Sequence, residues 1–136
     1  MFEAYTDPNR IPQWWGPKRF TTVVDKMDVK PGGLWRFIQY DAAGNTFAFH
    51  GVYHEVHLPK LIIDTFEFEG MPGHVSLETA AFEALGNKTK VTTRSVFQTV
   101  EDRDGMLKSG MEEGVFETMD RLAKLLESLK TERIAA

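Results

Sequence analysis

Between residues 19 and 99 the sequence alternates with period two, and this alternation restricts the possible folds more than any other feature. Six segments have the pattern of strands, namely 19–29, 34–40, 46–56, 61–69, 75–85 and 89–99. The short turns KPGG, DAAGN, HLPK, GMPGH and GNK separate them. Strands joined by such short connections pair with their neighbours in sequence. The pattern therefore predicts a six-stranded antiparallel meander.

At about Gly110 the period changes from two to 3.6. From there to Lys130 the apolar residues form one stripe and charged residues fill the other side, which predicts a long amphipathic helix. The stripe consists of Val115, Phe116, Met119, Leu122, Ala123, Leu126 and Leu129. Residues 100–109 predict a short helical lead-in. Before the first strand, MFEAYTDP and PNRIPQWW predict two short helical pieces, and Gly16-Pro17 ends the second.

These elements predict an α+β fold in one domain over residues 1–136. The long helix has to bury its apolar stripe against one face of the sheet. A curved sheet wrapped around a helix leaves a cavity wherever the two part. We therefore expect a cavity between the sheet and the C-terminal helix.

Composition argues against several functional classes. The chain contains no cysteine, so it has no disulfide, thiol nucleophile or cysteine metal site, and this is compatible with a cytoplasmic location. No apolar run approaches the roughly 18 residues of a membrane span, and the N-terminal residues do not resemble a signal peptide. A net charge of −4 with dispersed Lys and Arg argues against a nucleic-acid partner. Without GxGxxG or a P-loop, we predict no cofactor.

Four stretches resemble a known family: AYTDPNRIPQWWGP, KPGGLWRFIQYDAAGNTFAFHGVYHEVHLPKLI, TFEFEGMPGH and GMEEGVFETMDRLAKLL. The order of WWGP, FEGMPGH and GMEEG is specific. The sequence is similar to the START-like superfamily (helix-grip, Bet v 1-like or SRPBCC), and within it to the activator-of-heat-shock-protein-90-ATPase-like family. The resemblance implies a helix-grip fold with a cavity. It does not imply a particular reaction, because the family includes many small bacterial proteins without an assigned role.

One departure from the resemblance concerns the N-terminus. Family members usually have a strand before the first helix, whereas this chain starts inside that helix, at Met1-Phe2. Either the start is misplaced or truncated, or the first strand is missing. In the second case the sheet has an open edge with unpaired backbone groups. A second copy of the chain would cover such an edge, so we predict a homodimer.

Aromatic residues make up 12% of the chain, enough to line an apolar pocket as well as to fill a core. In PQWWGP we expect one Trp to plug the core and the other to cover the cavity mouth, and the sequence does not assign them. Alternatively, one of the two indoles stacks on a bound ligand. The alternative to a pocket is a solid core, which these aromatic residues would fill. The candidate ligand-binding residues are Trp14, Trp15, Trp35, Phe37, Phe66, Phe68, His74, Phe116 and Met119.

Two polar residues are weak candidates for catalysis. Asp64 shares a strand face with Phe66 and Phe68, where a carboxylate is costly unless it is paired. The alternative is a β-bulge that turns Asp64 outward. His74 belongs to the family motif GMPGH, and its near-neutral pKa suits acid–base chemistry. A hydrogen bond to the backbone is its alternative role. No histidine spacing suits zinc, so we predict no metal site.

Three functions remain open after the sequence. The first is binding of a hydrophobic small molecule, aromatic or lipid-like, between the sheet and the long helix. The second is a cyclase- or hydrolase-like enzyme with His74 or Asp64 as acid or base. The third, implied by the family name, is a protein interaction that stimulates a chaperone ATPase.

Overall fold

The computed structural model describes residues 2–57, 59–86, 88–108 and 111–135, without the side chains at 2, 111–113 and 129–135. Helix α1 (Phe2–Thr6) and a 3₁₀ helix (Ile11–Gln13) come first. The strands are β1 (Thr21–Met27), β2 (Leu34–Tyr40), β3 (Thr46–His57), β4 (Leu61–Phe68), β5 (Val75–Leu85) and β6 (Lys88–Phe97). Helices α2 (Val100–Lys108) and α3 (Met111–Ala135) follow. Gly110 of the GMEEG motif lies outside the described residues.

The six strands form one sheet in the order β1-β2-β3-β4-β5-β6, and every neighbouring pair is antiparallel. The predicted meander, the lead-in helix and the long C-terminal helix are confirmed. Strand β1 begins at Thr21 rather than at residue 19, because Pro17 to Phe20 form a turn in which the Phe20 N–H donates to the Pro17 oxygen at 3.1 Å.

Two register shifts interrupt the ladders of the sheet. One lies between Val24 and Lys26 in β1, and the other between Tyr53 and Glu55 in β3. Each inserts one extra residue, which bends and twists the strand. The second shift decides the orientation of Asp64: the bulge is in β3 and not in β4, so β4 keeps its alternation. Asp64 therefore stays on the face that carries buried Ile62, and the outward alternative is wrong.

The N-terminal segment, residues 2–18, covers the concave face of the sheet. Trp14 is 3% exposed, and its indole N–H donates to the Ala4 oxygen at 2.8 Å. Tyr5 contacts both Trp14 and Phe82, with ring centroids 4.7 and 4.9 Å apart. The buried core consists of Ala4, Ile11, Trp14, Trp35, Phe37, Tyr53, Ile62, Phe82 and Leu122. The two N-terminal helices are too short to be stable by themselves, and aromatic packing holds them in place.

Helix α3 is fastened to the N-terminal segment through polar side chains. The Arg121 guanidinium donates to the Gly16 oxygen at 2.7 Å, and the Glu117 carboxylate accepts the Lys18 backbone N–H at 2.8 Å. Gly16 has a φ of +83°, and a Cβ there would collide with the buried side chain of Gln39. This turn therefore requires glycine at position 16. The backbone carbonyl of Gly16 accepts the hydrogen bond from Arg121.

The apolar stripe of α3 differs from the predicted one. Fully buried Leu122 and partly buried Met119, Leu125 and Leu126 pack toward the core, whereas Phe116 is 66% exposed. Ala123 is also exposed, and the Leu129 side chain lies outside the described residues. The stripe prediction was wrong at 116 and 123, because the Glu117 and Arg121 bonds fix which side of the helix faces inward.

Candidate functional site

A pocket of about 440 Å³ lies between the concave face of the sheet, the N-terminal segment and the first turns of α3. Strands β2 to β6 provide its floor. Helix α3 closes it with Gly114, Val115, Thr118 and Met119, and α2 adds Met106. Hydrogen bonds to residues 13–18 hold α3 at this side of the pocket.

One wall of the pocket is a cluster of aromatic rings. Trp15 stands nearly perpendicular to its neighbours, with its ring centroid 5.0 Å from Phe37 and 5.4 Å from Phe49. The Phe49 and Phe66 rings are stacked at 5.4 Å, and Trp35 lies 6.1 Å from Phe66. All five rings line the pocket. Their edges and faces create an apolar surface that is complementary to a flat aromatic group or an alkyl chain.

The position of Trp35 depends on a glycine in the next strand. The Trp35 indole N–H donates across β3 to the Thr65 backbone oxygen at 3.2 Å. A Cβ on Gly51, its partner in the ladder, would lie 2.6 Å from that indole nitrogen and would collide with the Thr65 oxygen. Glycine at position 51 therefore lets the indole cross the sheet and reach its acceptor.

A row of polar side chains crosses the floor of the pocket. Tyr53, Asp64, Glu78 and Ser95 are consecutive ladder partners across β3, β4, β5 and β6. The Glu78 carboxylate accepts hydrogen bonds from the hydroxyls of Ser76, at 2.7 Å, and of Ser95. Asp64, Glu78 and Ser95 all line the pocket, as does Tyr53. The pocket thus joins an aromatic wall to a carboxyl pair.

The environment of this row changes its acid–base properties. Burial, with the charge of Glu78 as the second cause, raises the pKa of Asp64 to about 7, and hydrogen bonds from its own backbone N–H and from the Trp35 indole limit the rise. Burial, together with the charge of Asp64, also raises the pKa of Tyr53. A carboxyl group with a pKa of about 7 exchanges its proton near neutral pH, which an ordinary aspartate does not do.

Most of the predicted ligand-binding residues line the pocket together. They are Trp14, Trp15, Trp35, Phe37, Phe66 and Met119. Of the two neighbouring Trp residues, Trp14 is the buried one with its N–H bonded to the backbone. Trp15 is only partly buried and packs over the aromatic wall. Trp14 is therefore the core residue of the pair, and Trp15 is the one that packs on the aromatic wall.

Three of the predicted residues lie outside the pocket lining. Phe68 packs with Phe49 at 5.2 Å beyond the end of the pocket, and Phe116 points away from it. His74 is mostly exposed, with its Nδ1 2.8 Å from a carboxylate oxygen of Asp102. The bond of His74 is therefore to a side chain of α2 and not to the backbone.

Glu78 and Tyr53 are pocket residues that the sequence reasoning missed. The signal was present for Glu78, because Ser76, Glu78, Ala80 and Phe82 alternate on one face of β5. For Tyr53 the signal was present as well, because Phe49, Gly51 and Tyr53 share one face of β3 and the register shift comes only after Tyr53.

The opposite face of the sheet carries an ion-pair cluster. Arg36 donates to Glu69 at 2.7 Å and to Asp25 at 3.2 Å, and His50 lies 3.1 Å from Glu69. The guanidinium of Arg36 lowers the pKa of Glu69 to about 2. Within the described residues, no group of three or more His, Asp or Glu side chains could hold a metal ion. None of the described helices is long and apolar enough to cross a membrane.

A curved antiparallel meander that grips a C-terminal helix over an internal pocket defines a helix-grip, START-like domain. A model of the family described as "Activator of Hsp90 ATPase homolog 1-like protein" matches residues 1–127. The chain belongs to this family. None of the curated proteins matches the sequence.

Solved structures share the fold. A crystal structure of a Rhodobacter sphaeroides protein has a TM-score of 0.86 at 22% identity, covering 94% of this chain and 83% of the other. A solution structure from Staphylococcus epidermidis has 27% identity and a TM-score of 0.78, covering 93% and 80%. One from Arthrobacter aurescens has 24% identity and a TM-score of 0.81, covering 88% and 73%.

Proposed function

We propose that the pocket binds a hydrophobic small molecule, aromatic or lipid-like. The observation that supports this function best is the combination of about 440 Å³ of space with a wall of five aromatic rings. Pockets of roughly 300–1,000 Å³ with mostly apolar walls and a few converging polar groups are typical of small-molecule sites. Met119 at the α3 side has a flexible side chain that adapts to ligands of different shape.

The experiment measures binding of the neutral probe N-phenyl-1-naphthylamine by its fluorescence. We expect saturable binding at one site of the wild-type protein. Ala80→Phe should reduce affinity by about tenfold or more, because Ala80 lines the pocket and a ring there occupies part of it. Ala84→Phe is the matched control, since Ala84 is exposed on the same strand and does not line the pocket. Equal binding to all three folded proteins would contradict the proposal.

Acid–base catalysis is a second candidate function, and the raised pKa of Asp64 favours it. A general base works best when its pKa lies near the working pH, and burial raises the pKa of Asp64 to about 7. A suitable probe is 5-nitrobenzisoxazole, which eliminates when a base removes its C3 proton and the N–O bond breaks. We expect acceleration that rises to a plateau above about pH 7 and is lost in Asp64→Asn. Unchanged acceleration in that variant would remove Asp64 as the base.

The homodimer also belongs to the proposal. Among the described strands, β1 pairs only with β2, so its outer edge carries free backbone groups that a second copy can pair with. Light scattering coupled to size-exclusion chromatography tests this, and a monomer mass at high concentration would contradict it. The cytoplasmic location and the chaperone interaction stay predictions from the sequence.

A further inference from the structure

The charged groups that line the pocket have one sign. Asp64 and Glu78 are direct ladder partners, and side chains opposed in this way have Cβ atoms about 4.5–5.5 Å apart. Among the described residues, the lining contains no Lys, Arg or His. The described side chains of α2 and α3 in the lining are uncharged, and the other titratable lining residues are Tyr53, beside the pair on the floor, and Tyr5 of α1. The described residues thus surround two carboxyl groups without a cation.

Three basic residues elsewhere in the structure have other partners. Arg121 donates to the Gly16 and Gln13 oxygens at the N-terminal segment. Arg36 and His50 bond to Glu69 on the opposite face of the sheet. The hydroxyls of Ser76 and Ser95 donate to Glu78, and the donors that act on Asp64, its own backbone N–H and the Trp35 indole, carry no charge. Ionised carboxylates such as those of Asp64 and Glu78 are costly to desolvate unless a partner compensates their charge.

The aromatic wall continues directly from the carboxyl pair. Phe66 follows Asp64 by two residues on the same face of β4, and the Trp35 indole lies close enough to Asp64 to lower the pKa of its carboxyl group. Aromatic faces attract ammonium groups, and this attraction grows when water is excluded. Carboxylate and ring faces together therefore suit a cation attached to an apolar body.

We propose that the ligand of this pocket is an amphiphile whose protonated amine lies against Asp64 and Glu78 while its apolar body contacts the aromatic wall. This inference rests on the proposed small-molecule binding. An ammonium group supplies the missing positive charge and donates hydrogen bonds to both carboxylates. An alcohol supplies donors without charge, and a carboxylate ligand would add a third negative group to the pair.

The experiment compares three naphthalene probes that differ only in the head group: 1-naphthylmethylamine, 1-naphthalenemethanol and 1-naphthoic acid. Their affinities are measured by titration calorimetry at about pH 8, where the amine is still charged and Asp64 is ionised. We expect the amine to bind the wild type at least about tenfold more tightly than the alcohol, with the acid weakest. Asp64→Asn and Glu78→Gln should each reduce amine affinity about tenfold and leave the alcohol within about twofold.

Glu83→Gln is the matched control for these variants. Glu83 lies on the same strand as Glu78, is exposed, and pairs with Lys90 outside the pocket. We expect its amine affinity to equal that of the wild type. Loss of amine affinity in this control, equal to that in Glu78→Gln, would overturn the inference because net charge alone would then explain the preference.

Proton release gives a readout that needs no variant. At about pH 6 Asp64 is mostly protonated, so amine binding should release up to about one proton and alcohol binding none. Calorimetry in two buffers with different ionisation enthalpies measures this number. Equal affinities for amine and alcohol without proton release would overturn the inference and leave the binding function standing. Failure of all three naphthalenes and of N-phenyl-1-naphthylamine would contradict the binding function itself.

Discussion

Replacing Asp64 with asparagine should make the protein more stable at neutral and alkaline pH. Asparagine keeps the shape of the side chain and removes its ionisation. In the folded protein the pKa of Asp64 is about 7, whereas an unperturbed aspartate has 3.8. The folded state therefore holds a proton that the unfolded state has already lost between these pH values. Its stabilising effect is complete below pH 3.8 and is lost as the pH rises through about 7.

The size of the effect follows from the difference between the two pKa values. About three pKa units, at 1.36 kcal/mol per unit, correspond to at most about 4 kcal/mol in the free energy of unfolding. Water that enters the pocket solvates the carboxylate and reduces this figure. We expect the stability difference between Asp64→Asn and wild type to grow by about 2–4 kcal/mol between pH 4 and pH 8.

Urea denaturation at several pH values measures this difference directly. Asp120→Asn is the matched control, because Asp120 lies on the exposed side of α3 beside Lys124. We expect the pH-dependent gain in stability to be larger for Asp64→Asn than for this control. A constant difference for Asp64→Asn would show that the carboxyl group is solvated, and the reasoning about the pocket floor would be wrong.

Three further predictions concern stability. Gly51→Ala should destabilise the protein by about 1–3 kcal/mol in thermal denaturation, because its methyl group displaces the Trp35 indole. An unchanged melting temperature would contradict the close approach. Trp14→Phe should cost about 1–3 kcal/mol in urea denaturation, because the buried backbone acceptor loses its donor; a smaller loss would show that water replaces it. Glu69→Gln should reduce acid sensitivity slightly between pH 4.5 and about 2, because Arg36 lowers the pKa of Glu69 and stabilises the ionised form. Acid unfolding curves that match the wild type would argue against that contribution.

The strands were predictable because their signals are local. Alternation and turn residues lie within each segment, and β2 and β5 agree with their predicted bounds residue for residue. The start of β1 was predicted two residues too early, because the Pro17–Phe20 turn depends on a backbone hydrogen bond and not on residue type alone. Local patterns thus fixed the order of the elements but not every end.

The pocket was only partly predictable because its geometry depends on distant partners. Trp35 and Phe66 were predicted as ligand-binding residues, and both line the pocket. Phe116 was expected there as well, but the bonds of Glu117 and Arg121 to the N-terminal segment turn it outward. A helical stripe gives the apolar side of a helix only to within about one residue position, and polar anchors decide the remaining rotation.

The hydrogen bonds that hold α3 connect residues far apart in sequence. Arg121 and Gly16 are separated by 105 positions, and Lys18 and Glu117 by 99, whereas each hairpin of the sheet joins neighbouring segments. Contacts between distant residues close later during folding than local ones, and they open at lower cost when few of them act together. We therefore expect the meander to form first and the contact between α3 and the N-terminal segment, which closes the pocket, to form last. The same order, reversed, is a route by which the proposed small molecule would enter or leave while the sheet stays folded.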